Sequence, residues 1–266
     1  MKKLKILLIG GTKDASNITQ HIKENYDSYI LTTTTTEYGS KLAIESGSDD
    51  TIAKPLLKDE FIKLIENNDF NLLIDATHPY ASHITQTSVS LSEICNINYI
   101  RFERLPSNLE NIDTSRVHEV TSLDEAGKLI KSNYNNGNVL HLAGANTMEN
   151  ILKYVPVSKF YARILKVPKS LEKCESLRIP EDHIIPMKGT SSLEENIKII
   201  EETNADVIIT KESGDIGGVT NKINAANAKD IDIIMLKRPK IKNLNKKDII
   251  SNLNQLDEKI NNYFYN

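Results

Sequence analysis

The chain has 266 residues, no tryptophan and only two cysteines, Cys95 and Cys174. Two cysteines so far apart exclude a disulfide framework and a cysteine metal cluster, and they make a reducing cytoplasm the expected location. Long hydrophobic runs are missing too. The apolar stretch Leu4 to Ile9 is cut short by Gly10 and Gly11, too soon for a membrane span or a signal peptide, and reads as a first buried strand. Nor does one sign of charge prevail: 33 Lys and Arg stand against 36 Asp and Glu, a net charge of −3. That balance gives no general attraction for nucleic acid, so an anionic ligand has to be met by local basic residues.

What is present fits a folded α/β protein. The length allows two domains of ordinary size, and an apolar fraction of 39% is enough to give each a core. Short β-branched or leucine-rich runs recur at 4–10, 29–36, 71–77, 97–103, 138–144, 159–165, 182–187, 205–211 and 231–237. Such brief, near-continuous runs are typical of parallel strands covered on both faces. Segments of helical period lie between most of them, such as 58–67 and 191–203, the latter with capping pairs at Ser191/Glu194 and Ser192/Glu195. This alternation predicts an α/β fold of two Rossmann-like open parallel-sheet domains. Residues 104–121 lack a clean period, which places the domain change there. The expected division is 1–104, 105–240 and a C-terminal helix within 241–266, whose stripe at 249, 253, 256, 260 and 263 packs back onto a domain.

In open α/β sheets, ligands bind beyond the carboxyl ends of the strands. Gly10-Gly11-Thr12 follows the first strand; its glycines permit close backbone approach and the next helix offers free N–H groups to a phosphate, although the same turn also serves as a plain tight connection. After the second strand, Thr33 to Thr36 offer hydroxyls to a ribose or phosphate, Glu37 an acceptor and Lys41 a cation. As β-branched residues the threonines also suit a strand for its own sake. A third turn, Asp75-Ala76-Thr77-His78-Pro79-Tyr80, sets Pro79 at the first position of a helix with Thr77 or His78 at its cap. His78 and His83 are then roughly 140° apart around that helix, so no metal site is expected. The fourth turn, 210–226, concentrates Lys211, Glu212, Ser213, Gly214, Asp215, Gly217 and Gly218; it reads either as a cofactor- or anion-contacting loop or as a long glycine turn capped by Asp215.

The stretches LLIGGTKDA, DATHPYA, YIRFER and TKESGDIGG...K..AA, followed by Arg238-Pro239, together resemble the precorrin-6A reductase family. The pieces occur in the family's order over about residues 4 to 239. The TTEYG after the second strand is more similar to members acting on the cobalt-containing intermediate. One departure is KGTSS at 188–192, where many members carry a Q-G-P-F-S-like turn. The resemblance implies NADPH or NADH as cofactor, a polycarboxylate tetrapyrrole as substrate in cobalamin biosynthesis, and a cleft between the two domains holding both. It places Gly10, Gly11, Thr12 and Ala15 on the cofactor, with Asp75, Thr77, His78, Pro79 and Tyr80 lining the cleft. Lys211, Ser213, Gly214, Gly217 and Gly218 complete the pocket.

From these readings, the cofactor side is expected to include Thr34, Thr35, Asp75, Thr77, Ser213 and Gly214 as well. Substrate carboxylates call for cations, and Arg101, Arg104, Arg163 and Lys188 are the candidates, beside Gly217 and Gly218. The proton donor is expected among His78, Tyr80 and Lys211, or a bound water. No nucleic acid or membrane partner is expected, and the chain is expected to be a monomer or small homo-oligomer. No tyrosine is followed four residues later by lysine, which excludes the short-chain dehydrogenase pair. Two other readings stay open: a nucleotide-sugar or S-adenosylmethionine-type transferase, and a non-catalytic nucleotide sensor.

Overall fold

The computed structural model describes residues 3–265; Met1, Lys2 and Asn266, which the expected domain limits include, lie outside them. The chain divides into two compact units, Met1–Leu105 with Pro239–Asn266, and Pro106–Arg238.

The first unit carries β1 (Leu4–Ile9), α1 (Lys13–Asn25), β2 (Ser28–Thr34), α2 (Glu37–Glu45), β3 (Asp50–Ala53), α3 (Lys58–Asn68), β4 (Leu72–Asp75), α4 (Ser82–Ile94) and β5 (Asn98–Phe102). The second carries β6 (Val117–Val120), α5 (Leu123–Asn133), β7 (Asn138–His141), α6 (Met148–Ile151), β8 (Phe160–Leu165), α7 (Pro168–Ser176), β9 (Ile184–Met187), α8 (Leu193–Thr203), β10 (Ala205–Lys211), α9 (Val219–Ala228) and β11 (Asp232–Leu236). The chain then returns to the first unit with β12 (Ile249–Ile250) and α10 (Leu253–Phe264).

Each unit holds one six-stranded sheet, ordered β12-β5-β4-β1-β2-β3 in the first and β6-β11-β10-β7-β8-β9 in the second. Every strand pair is parallel. The two orders share a plan: a central strand (β1 or β7) has the next two strands on one side and the fourth and fifth on the other. They differ in the sixth strand. In the first unit it is β12, from the far end of the chain; in the second it is β6, which precedes the rest.

Alternation along β1 shows why the strands read as continuous apolar runs. Leu4, Ile6 and Leu8 join a core with Ile18 and Ile22 of α1 and Leu256 and Ile260 of α10. Leu7 and Ile9 join another with Phe61 and Ile65 of α3 and Val89 and Leu91 of α4. Both faces of the sheet are covered, so every position of β1 but Lys5, whose ammonium reaches the carbonyl of Asn68, is apolar and buried. In the second unit Leu140, Ile208 and Ile233 pack with Ile199 and Ile200 of α8 and Ile223 of α9.

Three strands were not expected, and each lacks the apolar run that marks the others. β3 and β6 are four-residue edge strands with polar members, and β12 has only two residues. The run expected to reach 36 stops at Thr34, because Thr36 turns to cap α2, accepting from Gly39 N at 3.1 Å. At α8 the pair Ser192/Glu195 forms the reciprocal cap, leaving Ser191 buried ahead of it. Ile249, expected on the final helical stripe, belongs to β12 instead. Among the described residues no helix is long and apolar enough to cross a membrane.

Candidate functional site

In the first sheet the winding direction reverses between β1 and β4, so the turns leaving these strands diverge and open a crevice at the carboxyl edge. The turn after β1 is built for close approach. A methyl group on Gly10 would sit 2.8 Å from Thr32 Cγ2 and 3.2 Å from Ala15 Cβ, whereas Gly11 has φ +91° and open space around its Cα. Thr12 caps α1, its hydroxyl accepting from Ala15 N at 3.1 Å and donating to the carbonyl of Ala76 at 2.7 Å. One hydroxyl therefore fixes the glycine turn to the turn after β4. Gly11, Thr12, Ser16, Thr32, Gly39 and Leu42 are among the residues lining a cavity of about 330 Å³. Thr34 is buried and donates to Thr36 O, while Thr35 is exposed at the edge.

The turn after β4 rests on a sealed ion pair. Arg101 Nη1 donates to Asp75 Oδ1 at 2.8 Å, with the side chains 1% and 0% exposed. Asp75 Oδ1 also accepts from Thr77 N at 3.0 Å and Thr77 Oγ1 at 2.7 Å, and the Thr77 hydroxyl in turn accepts from Arg101 Nη1. The register explains the meeting: Asp75 and Arg101 are direct partners on β4 and β5 and so point to the same face. This revises the expectation for Arg101. Its charge is committed to Asp75 beneath the turn and is not presented to a ligand. Arg104 likewise pairs with the carboxylate of Asp14, its Nε–H donating to Oδ2 at 3.0 Å.

Pro79 does not start the helix. Ala81 N bonds to His78 O and Tyr80 N to His78 Nδ1, making a separate turn, and α4 begins only at Ser82. Thr77 is held by Asp75 and Arg101 and so is not a cap. His78, now off the helix, is exposed, with its ring centroid 5.8 Å from that of Tyr80. His78 and His83 therefore do not share a helix.

The second sheet reverses between β7 and β10, again with glycines beyond each strand: Gly144 at φ +85° and Gly214 at φ +74°. Ser213 and Gly214 are buried, and Ser213 Oγ packs so closely on Gly217 that no larger residue fits there. Gly218, at φ +68°, opens α9. Lys211 ends β10, and burial lowers its pKa. On the neighbouring strand His141 is fully buried and pushed down to about 3 by burial, and then by the charge of Lys211. It is therefore a neutral imidazole, with Nε2 3.1 Å from Thr147 Oγ1.

Arg163 bonds the carbonyl of Gly189. Lys222, 8% exposed, donates to Gly217 O at 3.0 Å and is pushed down to about 8 by burial and then by the charge of Arg163. Two cations are thus gathered by the loops 188–191 and 214–218, which touch where Gly218 faces Thr190. Lys188 is exposed on the first of these loops. Lys222 lies within the stretch that carries the resemblance but was given no role there. Its sequence signal is a lysine on the otherwise small and apolar inner face of α9, with Val219, Ile223, Ala225 and Ala226.

Two parallel six-stranded sheets, each with a glycine-lined reversal point, define a tandem Rossmann-like protein. The family "Precorrin-6x reductase CbiJ/CobK" matches residues 5–260, and the chain belongs to it. It is similar to the cobalt-precorrin-6A reductase of Methanocaldococcus jannaschii, 36% identical over 90% of this chain and 92% of that one. The cobalt-precorrin-6A reductase of Methanothermobacter thermautotrophicus is 34% identical over 96% of this chain and 83% of that one. A solved structure described as CobK precorrin-6A reductase covers 98% of both chains with a TM-score of 0.78 at 16% identity, a likeness of fold.

Proposed function

We propose that the chain reduces one double bond of a precorrin-6A-type ring, with the cobalt-containing form as substrate, using NADH or NADPH in the cytoplasm. Family membership supports the reaction class, and the bond from Thr12 Oγ1 to Ala76 O is the observation that carries the site. It holds two diverging turns rigidly at the reversal point of a 3-2-1-4-5 sheet, where dinucleotides bind.

The first unit fits a nicotinamide dinucleotide. Gly10 has no room for a side chain, Gly11 leaves its surroundings open, and the start of α1 offers N–H groups to a pyrophosphate. Gly10, Gly11, Thr12 and Ala15 form that cradle, while Thr34, Thr35 and Glu37 stand where the ribose is met. Asp75 and Thr77 act from below, by setting the turn that carries His78 and Tyr80. When bound, the cofactor supplies the hydride; the protein supplies orientation, exclusion of water and a proton.

The second unit fits a polyanion. Arg163 and Lys222, with Lys188 at the rim, offer positive charge to ring carboxylates beside the backbone of Gly217 and Gly218. Their burial makes Arg163 and Lys222 stronger partners for a carboxylate than the exposed Lys188. Lys211 is the favoured proton donor of the three candidates, since burial weakens its hold on the proton. The transferase and sensor readings have no observation in their favour. An anaerobic assay of cobalt-containing and cobalt-free ring against NADH and NADPH tests the proposal: nicotinamide oxidation that depends on the ring supports it, and absence of nicotinamide binding overturns it.

A further inference from the structure

Matching the strand orders of the two sheets sets β10 against β4 and β11 against β5. The correspondence extends to side chains. After β4, Asp75 accepts from the backbone N–H two residues on, Thr77, and from an arginine of the fifth strand, Arg101. After β10, Glu212 Oε1 accepts from the backbone N–H two residues on, Gly214, at 3.0 Å, and its Oε2 is paired with Arg238, two residues beyond β11. The pair is 14% and 13% exposed. Glu212 does one thing more: its Oε1 also accepts from Ser107 N at 3.0 Å and Ser107 Oγ at 3.2 Å.

Ser107 stands at the entry of the second unit, which begins at Pro106, and Arg238 is its last residue. One carboxylate thus joins the two ends of the unit's chain to the loop bearing Lys211, Ser213 and Gly214. A carboxylate has about four lone-pair sites. Ser107 N, Ser107 Oγ and Gly214 N converge on Oε1, which has no acceptor capacity left for a ligand, and Arg238 Nε takes Oε2. We propose that Glu212 is a positioning residue: with Arg238 and Ser107 it forms a clasp that holds the ring-contacting loop Lys211–Gly218 in order, and makes the order of that loop depend on where the chain enters and leaves the unit. The loop needs such a tether, because glycines at 214, 217 and 218 lose much backbone freedom on being fixed. The assignment of the ring to this loop rests on the proposed function; the clasp itself does not.

The test is amide hydrogen exchange on the full chain, together with nicotinamide affinity and ring kinetics. In Glu212→Gln, exchange should quicken by about tenfold in both 211–218 and 107–108, with 75–80 unchanged. NADH and NADPH dissociation constants should stay within about twofold, while kcat/KM for the ring falls by at least about tenfold. Arg238→Lys, which keeps the charge but not the Nε–H, should show a smaller effect of the same pattern, and the double variant should be no worse than the worse single one. Exchange that quickens in only one of the two segments, or in neither, overturns the clasp. So does nicotinamide affinity falling as far as ring turnover. If wild-type protein turns over no ring yet both segments loosen together, the clasp stands and the proposed function fails.

Discussion

Arg101 and Asp75 form an ion pair 2.8 Å long with neither side chain open to water. Such a pair is strongly destabilised by removing one partner, because the other charge stays buried. Asp75→Asn should cost about 3 to 5 kcal/mol in chemical denaturation and weaken nicotinamide binding through the loosened Thr77 turn. Replacing both residues with apolar ones of similar size should recover most of the stability but not the binding. Equal stability of Asp75→Asn and wild type would show that the pair is not the foundation of the turn.

Gly10 should tolerate no side chain without loss of cofactor. In Gly10→Ala the new methyl meets Thr32 and Ala15, and the displaced turn should weaken NADH and NADPH binding by about tenfold, read by fluorescence titration, for about 1.4 kcal/mol. Undiminished affinity would move the dinucleotide away from this turn.

His141 should make the protein acid-sensitive. Its pKa is 6.5 ordinarily and about 3 in the fold, so between these values the unfolded chain binds a proton that the folded chain refuses. Stability contributed by the neutral ring is therefore present above the unfolded value and is lost as pH falls through the window. Denaturation at about pH 7 and about pH 4 should show a smaller acid loss in His141→Gln than in wild type. An identical loss would assign acid sensitivity to other groups.

If Lys211 gives the proton, turnover should decline as pH rises through its pKa, which burial sets below the ordinary lysine value of 10.5. Lys211→Met should lower kcat by about a hundredfold or more and abolish that alkaline limb. Retention of the limb in the variant would shift the role to His78, Tyr80 or water.

Most strands and the turns beyond them were legible, because strands covered on both faces must be apolar and the turns must carry glycine and polar side chains. β3, β6 and β12 escaped since short edge strands need neither. Pro79 suits a helix start, but of the two expected caps Asp75 claims Thr77 and His78 closes a separate turn with Tyr80 and Ala81. Arg101 looked like a cation for a ligand because sequence cannot show that β4 and β5 place it opposite Asp75. Glu212 and Lys222 were visible as letters in the TKESGDIGG...K..AA stretch; only the fold shows that one is held by Ser107, Gly214 and Arg238 and the other buried beside a second cation.

The most direct test of the central claim is single turnover, without oxygen, of the cobalt-containing ring with nicotinamide cofactor deuterated at one or the other face of C4. The account predicts that one of the two labelled cofactors transfers one deuterium to the product, read by mass spectrometry, while the other transfers none. A reduced product free of deuterium with both would contradict it.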